Sequence, residues 1–252
     1  MTARSPGKAR MDVKEQELLG PAIDGHWYYR AKSAAMLRML RGQAIRRVVD
    51  IGAGSGFFAR RLLACPSAEE AICVDPAYRA EHDETADGKP LRFRRDIDRI
   101  DADLVLMMDV LEHVDDDRGM LAGYVRRVPS NTLFLISVPA FQWLWSGHDV
   151  YLEHRRRYTI SAIERVIGDA GLVCLTSSYF YALVLPLAAV VRLAHKIGDA
   201  REAKSDLRRH HPVVNSLLAG LCRIELPLLG RNRLGGLSIF CVARRREAGA
   251  AG

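Results

Sequence analysis

The chain has 252 residues, 49% of them hydrophobic and 27% charged, which excludes a disordered protein and fits one α/β domain. The formal net charge of +7 favours anionic partners without choosing among nucleic acid, phospholipid and acidic small molecules. Five scattered cysteines without paired Cys/His spacing indicate neither a disulfide framework nor a zinc site. No metal is therefore predicted, and a cytoplasmic location is expected, with peripheral contact at the inner face of the membrane left open.

Apolar patterning predicts a basic tail at residues 1–23, followed by one domain over residues 24–252 in which helices alternate with short strands. The predicted helices cover residues 24–40, 57–64, 116–128 and 159–170. The predicted strands are residues 47–51, 71–75, 91–95, 103–109, 132–139, 172–177 and 237–243. Such alternation predicts a Rossmann-like α/β fold, a mostly parallel sheet with helices on both faces.

A helical insertion at residues 180–229 interrupts this alternation before the last strand. Two apolar helical patterns, at residues 183–197 and 213–229, flank a polar link. The basic residues of the link are Arg201, Lys204, Arg208, Arg209, His210 and His211. Four interpretations stay open: contact with an anionic membrane surface, a cap over a pocket for a lipid-like substrate, a homodimer face, or a helix pair covering the sheet edge.

A glycine-rich turn joins the first predicted strand to the next helix, with the sequence VVDIGAGSGFF at residues 48–58. Glycines at 52, 54 and 56 allow positive φ and a close approach of backbone to ligand. A dinucleotide fingerprint would place its third glycine at position 57, which is Phe57 here. A NAD-dependent oxidoreductase is therefore disfavoured, and a ligand without a pyrophosphate is favoured.

Acidic residues end the first two predicted strands. Asp50 can receive a cationic amino group, and Asp75, about twenty residues beyond the glycine turn, can accept both hydroxyls of a ribose. Together with the turn, these carboxylates predict a site for S-adenosyl-L-methionine (SAM). The alternative is an ordinary glycine turn with an aspartate on the surface.

The turn, Asp75 and the run DVLEHV at residues 109–114 resemble the motifs of class I SAM-dependent methyltransferases. The chain is most similar to the bacterial small-molecule group that includes ubiquinone-biosynthesis O-methyltransferases. The resemblance covers about residues 24–175 and the final strand. It implies a seven-stranded sheet whose last strand runs antiparallel beside the sixth.

The resemblance also implies roles for individual residues. Asp96 would lie near the adenine amino group with Ile97 beside the ring, and Asp109 would face the methionine end of SAM. Glu112 and His113 would lie at the mouth of the site, with helix capping and packing as the alternative. The segment 26–30 resembles a helix that covers the cofactor in some relatives, or it simply covers the sheet. The cofactor-binding residues so expected are Asp50, Gly52, Ala53, Gly54, Gly56, Asp75, Pro76, Asp96, Ile97, Asp109, Val110 and His113.

The loop after the fifth predicted strand, residues 139–159, concentrates tryptophan, histidine and arginine side chains. Sites of α/β sheets lie at the carboxyl ends of strands, so the acceptor is expected here. His148, next to Asp149, is the first candidate for a general base, and His154 competes with it. Residues proposed to bind the substrate are Trp145, Arg157 and Tyr158; alternatively, the arginines and tyrosine brace the loop.

These features predict SAM-dependent methylation of a small molecule, with a hydroxyl on a lipid-like substrate favoured as acceptor. One alternative is an RNA methyltransferase, which the basic charge permits. Nucleic acid is nevertheless not the expected partner, because no RNA-binding module is recognisable. Residues 109–112 also read DVLE where base N-methyltransferases of this fold carry Asn/Asp-Pro-Pro-aromatic. The other alternative is a non-catalytic, SAM-binding accessory subunit.

Overall fold

The computed structural model describes residues 20–197 and 211–245. Most of the expected basic tail (1–19), almost all of the basic link (198–210) and residues 246–252 lie outside the described residues. Within the described ranges one sheet contains eight strands: β1 (Arg47–Ile51), β2 (Glu70–Val74), β3 (His82–Ala86), β4 (Lys89–Arg94), β5 (Leu104–Met108), β6 (Leu133–Pro139), β7 (Leu172–Phe180) and β8 (Ser238–Arg245). Their order across the sheet is β3-β4-β2-β1-β5-β6-β8-β7.

The strand directions confirm the predicted α/β fold. Strands β4, β2, β1, β5 and β6 run parallel to one another, and β8 runs antiparallel between β6 and β7. The prediction of seven strands was wrong by one, because β3 pairs with β4 as an antiparallel hairpin. Asp87 and Gly88 form its turn with φ of 51° and 74°, an Asp-Gly signal for a two-residue hairpin. The largely exposed side chains of β3 give no apolar alternation that would have revealed it.

Helices cover both faces of the sheet. Their bounds are α1 (Trp27–Met39), α2 (Phe57–Leu63), α3 (Asp117–Arg127), α4 (Gly147–Tyr151), α5 (Ile160–Asp169), α6 (Leu185–Ile197) and α7 (Pro212–Glu225), with 3-10 turns at Gly20–Gly25, Leu111–His113, Gln142–Leu144 and Leu226–Leu228. Helix α5 shows why the sequence defines these boundaries. The Thr159 hydroxyl caps its first turn by accepting from the Ala162 amide at 3.3 Å, and Gly171 follows its end with φ of 90°.

The core consists of two apolar clusters, one on each face of the sheet. Strand β5 contributes to both, with Leu104, Leu106 and Met108 on one face and Val105 and Met107 on the other. All five side chains are almost completely buried. A strand covered on both faces reads as a continuous apolar run, which is how the sequence revealed it.

The insertion packs on the N-terminal helix. The Asn215 side chain of α7 accepts a hydrogen bond from the Trp27 amide at 2.8 Å and donates one to the Gly25 carbonyl at 3.0 Å. The Tyr181 hydroxyl donates to the Tyr28 carbonyl at 2.8 Å, and the two rings stack. These contacts support the interpretation that the insertion covers the domain. None of the helices in the described ranges is long and apolar enough to cross a bilayer.

Several sharp turns follow strands directly. Asp109, Phe141 and Tyr181 adopt left-handed backbone angles, with φ of 56°, 58° and 65°. They lie at or just beyond the carboxyl ends of β5, β6 and β7. Non-glycine residues rarely adopt this conformation, so the surrounding structure holds them in place.

Gly236, just before β8, is expected to be intolerant of any side chain. A Cβ there would lie 2.2 Å from the Phe180 carbonyl oxygen, so Gly236→Ala forces β7 and β8 apart. We expect a loss of about 2–3 kcal/mol in the free energy of unfolding, measured by urea denaturation. The neighbouring Gly235→Ala is the control, because its Cβ meets the end of the Leu185 side chain at 3.3 Å and the Phe141 ring at an ordinary contact distance of 3.9 Å. Equal losses in both variants would contradict the expectation.

Candidate active site

The glycine turn leaves no room for side chains beside β5. Gly52, Gly54 and Gly56 have φ of 68°, 50° and 74°. A Cβ on Gly52 would lie 2.8 Å from Cγ2 of Val110, and one on Gly56 would lie 3.0 Å from the Cys73 sulfur. Ala53, the one non-glycine between the first two glycines, is buried. Side chains are therefore not tolerated at Gly52 and Gly56, and the turn lies at the carboxyl ends of β1 and β5, where a ligand can approach the backbone closely.

Asp50 is a buried carboxylate at the end of β1, only 1% exposed. Its Oδ2 atom has no hydrogen-bond partner within the described ranges. Burial raises the pKa of Asp50 to about 8. A hydrogen bond with the Ala59 backbone opposes this shift, and the nearby negative charge of Asp75 adds to it. An unpartnered carboxylate oxygen at this position fits a cationic amino group.

Asp75 connects the end of β2 to the glycine turn. Its carboxylate accepts hydrogen bonds from the Ala77 amide at 2.8 Å and the Gly54 amide at 3.3 Å. Burial raises the pKa of Asp75 in spite of these bonds. Pro76 beside it is exposed. This placement at the strand end fits the ribose contact implied by the sequence.

Asp96 and Ile97 follow β4, at the same edge of the sheet. Asp96 is exposed; its carboxylate accepts the Ile97 amide at 2.8 Å and lies 3.6 Å from the Arg127 guanidinium. Ile97 is half-buried and packs against the core. Their expected contact with adenine stays a prediction.

Asp109 receives partners from two sides. The Ser137 hydroxyl donates to its Oδ1 at 2.9 Å, and the ammonium of Lys32 forms an ion pair with its Oδ2. Lys32 is fully buried and also donates to the Tyr28 hydroxyl at 3.0 Å. Helix α1 thus covers the end of the site assigned to methionine. Sequence reasoning missed Lys32, although a lysine within the apolar stripe of α1 was a visible signal.

Hydrogen bonds join the loop after β6 to the turn after β5. The Tyr158 hydroxyl donates to Asp117 at 2.7 Å and lies 3.1 Å from the Leu111 carbonyl. The Arg156 guanidinium donates to the Asp115 carbonyl at 2.7 Å, and the Arg155 amide donates to the Glu112 carbonyl at 2.7 Å. These contacts bring the two strand ends into one site.

Asp149 organises this loop from within. It is completely buried and binds the Arg157 guanidinium through Nε at 2.6 Å and Nη2 at 3.0 Å. It also binds Nδ1 of His154 at 2.8 Å and accepts from the Ser146 amide at 2.8 Å. Burial alone would raise the pKa of Asp149, but the bonds and charges of His154 and Arg157 hold it well below its ordinary value.

The predicted substrate-binding residues are largely engaged within the protein. Besides Asp149, Arg157 donates to the Ala140 carbonyl at 3.1 Å, and Tyr158 is buried. This arrangement favours the interpretation that both residues brace the loop, so substrate binding by them stays a prediction. Trp145 is half-buried, with its amide donating to the Gln142 carbonyl at 3.1 Å.

The candidate bases His148 and His154 lie near each other, with ring centroids 6.4 Å apart. His148 is half-buried on α4. The structure pairs Asp149 with His154, whose side chain is 5% exposed. Burial lowers the pKa of His154, although Asp149 opposes this shift.

Glu112, His113 and His154 form a cluster that the sequence analysis did not predict. One donor atom of each residue lies within 4.8 Å of the others. Glu112 is completely buried, and neither carboxylate oxygen has a hydrogen-bond partner on another described residue. Burial raises the pKa of Glu112 to about 8. The resemblance had assigned Glu112 and His113 to the mouth of the site, separately from His154.

The fold of this chain is similar to that of several solved structures described as methyltransferases. A chain from the complex between the Haloferax volcanii Trm112 methyltransferase activator and a methyltransferase aligns with a TM-score of 0.56 and 15% identity, covering 98% of this chain and 100% of that chain. A SAM-dependent methyltransferase from Archaeoglobus fulgidus gives 0.50 and 17%, covering 92% and 98%. A S-adenosylmethionine-dependent methyltransferase from Mesorhizobium loti gives 0.51 and 15%, covering 88% and 100%.

Sequence comparison identifies the family. A search of curated proteins finds no match. The similarity to the ubiquinone-biosynthesis group therefore stays a prediction. A family model described as a methyltransferase domain matches residues 25–177, more than half of the chain. With the glycine turn, the acidic strand ends and the sheet order in place, the chain belongs to the methyltransferase domain family and has the fold of SAM-dependent methyltransferases.

Proposed function

We propose that this enzyme transfers the methyl group of SAM to a hydroxyl group of a small molecule. One observation carries the proposal: Glu112 and His113, three and four residues after Asp109, form a cluster with His154 of the loop after β6, next to the expected methionine end of the cofactor site. Histidines at that point suit an acceptor that has to lose a proton. The same cluster argues against a non-catalytic SAM-binding subunit.

The residues around the glycine turn fit SAM. When bound, SAM supplies a methyl group on a sulfonium and brings no phosphate to the turn. The unpartnered oxygen of Asp50 and the ion pair of Lys32 with Asp109 would hold the charged amino-acid end. Asp75 would hold the ribose hydroxyls through its carboxylate. Helix α1 would exclude water from the reacting atoms.

Methyl transfer requires an in-line approach of the acceptor and loss of its proton. The hydroxyl oxygen forms a bond to the methyl carbon while the carbon–sulfur bond breaks, and the electron pair of that bond stays on sulfur. Asp149 would fix the imidazole of His154 beside the acceptor. The half-buried His148 would receive the hydroxyl proton.

Asp75→Ala tests the cofactor site. Removing a carboxylate that would bind two ribose hydroxyls is expected to weaken S-adenosylhomocysteine binding by about 10²–10⁴-fold, because each such bond contributes roughly 1.5–3 kcal/mol. Isothermal titration calorimetry measures the affinity. Asp83→Ala, at an exposed carboxylate of the edge strand β3, is the control and should bind normally. If the wild-type protein does not bind S-adenosylhomocysteine at millimolar concentration, the central proposal is wrong.

His148→Gln tests the proton acceptor. Loss of a general base lowers kcat by roughly 10²–10⁴-fold, while S-adenosylhomocysteine affinity should not change. The assay follows methyl transfer from SAM to panels of phenols, lipid-linked alcohols and RNA, which also separates the small-molecule proposal from the RNA alternative. Wild-type turnover across the pH range in the variant would rule out this role for His148.

We further propose that the insertion contacts an anionic membrane surface, from which a lipid-like acceptor is taken. Leu187, Val190 and Val191 expose a stripe on α6, and Val213 and Leu217 expose one on α7, with exposures of 44–68%. Between the two helices the sequence carries four Lys/Arg and three Asp/Glu residues, and its last four positions, 208–211, form a basic cluster that complements anionic head groups. Exposed apolar helix faces beside a basic segment are typical of interfacial binding.

Vesicle flotation tests this contact. The double variant Val190→Asp, Val213→Asp is expected to lose association with anionic vesicles, because charged side chains would enter the acyl region. Val173→Asp, at an exposed position of β7 away from these helices, is the control and should float with the vesicles like the wild type. Wild-type protein that stays unbound, or a double variant that still floats, would argue against the proposal.

A further inference from the structure

We propose that Glu112, His113 and His154 bind one divalent metal ion. Two imidazoles and a carboxylate suit Zn²⁺, Mn²⁺ and Fe²⁺ better than Mg²⁺, which prefers oxygen ligands. The proposal concerns binding of the ion and is independent of SAM.

The spacing of the donor atoms is close to what a common ion requires. Ligand atoms bind such ions at about 2.0–2.2 Å, so two of them lie at most about 4.4 Å apart across the ion. The donor atoms of the three residues already lie within 4.8 Å of one another. Small movements of side chains would complete the site.

Glu112 gives an independent reason for a cation. Its side chain is completely buried, and both carboxylate oxygens lack hydrogen-bond partners on the rest of the described chain. A buried carboxylate without partners is costly. The nearest buried cationic side chains already form ion pairs with other carboxylates, because Lys32 pairs with Asp109 and Arg157 pairs with Asp149. A bound metal ion would supply the missing partner.

His154 is oriented as metal-binding histidines usually are. Its Nδ1 atom binds Asp149 at 2.8 Å, which leaves Nε2 as the free ligand atom. That Nε2 is buried and has no hydrogen-bond partner among residues 20–197 and 211–245. A carboxylate on the far ring nitrogen fixes the tautomer and raises the basicity of the ligand atom. Arg157 in turn fixes both oxygens of Asp149.

Three protein ligands leave a metal position open for an exogenous oxygen. This further step rests on the proposed function: the acceptor would be a molecule whose hydroxyl oxygen completes the coordination. Coordination makes a hydroxyl more acidic, so its proton would pass to His148 as the oxygen bonds to the methyl carbon. Such a site selects acceptors with accessible, chelating oxygen atoms over amines and carbon nucleophiles.

Metal titration of the full chain without an affinity tag tests the site. After treatment with a chelator, calorimetry with ZnCl₂, MnCl₂ and MgCl₂ should show one tight site, with Mg²⁺ weakest. Glu112→Gln and His154→Gln should each weaken Zn²⁺ or Mn²⁺ binding at least about 100-fold, since each removes one of three ligands. His82→Gln removes an exposed imidazole on the edge strand β3 and should leave this site unchanged.

Thermal unfolding separates metal binding from packing. In the absence of metal, Glu112→Gln should unfold at the same temperature as the wild type or higher, because it removes an unpartnered buried carboxylate. Added metal should raise the midpoint of the wild type but not of the variant. A wild type that binds no metal, or a Glu112→Gln variant that binds it normally, would overturn the proposal.

S-adenosylhomocysteine binding is measured on the same preparations. Binding of S-adenosylhomocysteine without any metal binding would overturn only the metal site. Metal binding without S-adenosylhomocysteine binding would overturn the proposed function and leave the metal site standing.

Discussion

The candidate acceptor site depends on one buried carboxylate, that of Asp149. It holds the guanidinium of Arg157 through two bonds and the imidazole of His154 through a third. Removing Asp149 or Arg157 alone would leave the other buried charge uncompensated, which is far more costly than losing a surface ion pair. The position of His154 is therefore set by electrostatics inside the loop rather than by regular secondary structure.

The loops that follow two neighbouring strands meet near this carboxylate. The parallel strands β5 and β6 end at the same edge of the sheet. The loop after β6 carries Asp149 and His154, and the turn after β5 carries Glu112 and His113. The backbone bond from the Arg155 amide to the Glu112 carbonyl, 2.7 Å long, joins the two loops next to the cluster. The chemistry of the site is thus assembled by the topology that any doubly wound sheet provides.

Local sequence was sufficient for the fold class and for placing the glycine turn between a strand and a helix. Continuous apolar runs identify β5 and β6, and a glycine at position 52 is required by the close approach of Val110. The partner of Asp149 was not predictable in the same way. His148 is adjacent in sequence, but adjacent residues on a helix point in different directions. His154 reaches Asp149 because Glu153, with φ of 60°, turns the chain back after α4.

Contacts between residues far apart in the chain could not be predicted from local sequence either. The pairing of Lys32 with Asp109 depends on how α1 lies across the sheet, which no local pattern specifies. The contact between Asn215 of α7 and the start of α1 depends on how the insertion folds back. Because α1 touches Asp109 on one side and α7 on the other, the cofactor end and the insertion form one connected structural unit.

The left-handed residues after β5, β6 and β7 have a consequence for the evolution of this chain. Each costs roughly 1–3 kcal/mol of backbone strain, and each sets the direction in which the following loop leaves the sheet. Asp109 leads to the cluster, Phe141 to the histidine-bearing loop and Tyr181 to the insertion. At the carboxyl ends of these three strands, a local loss of stability thus accompanies a fixed direction of the loop that follows. New specificities can arise by changing loop sequences beyond these bends, while the bends themselves are constrained to stay.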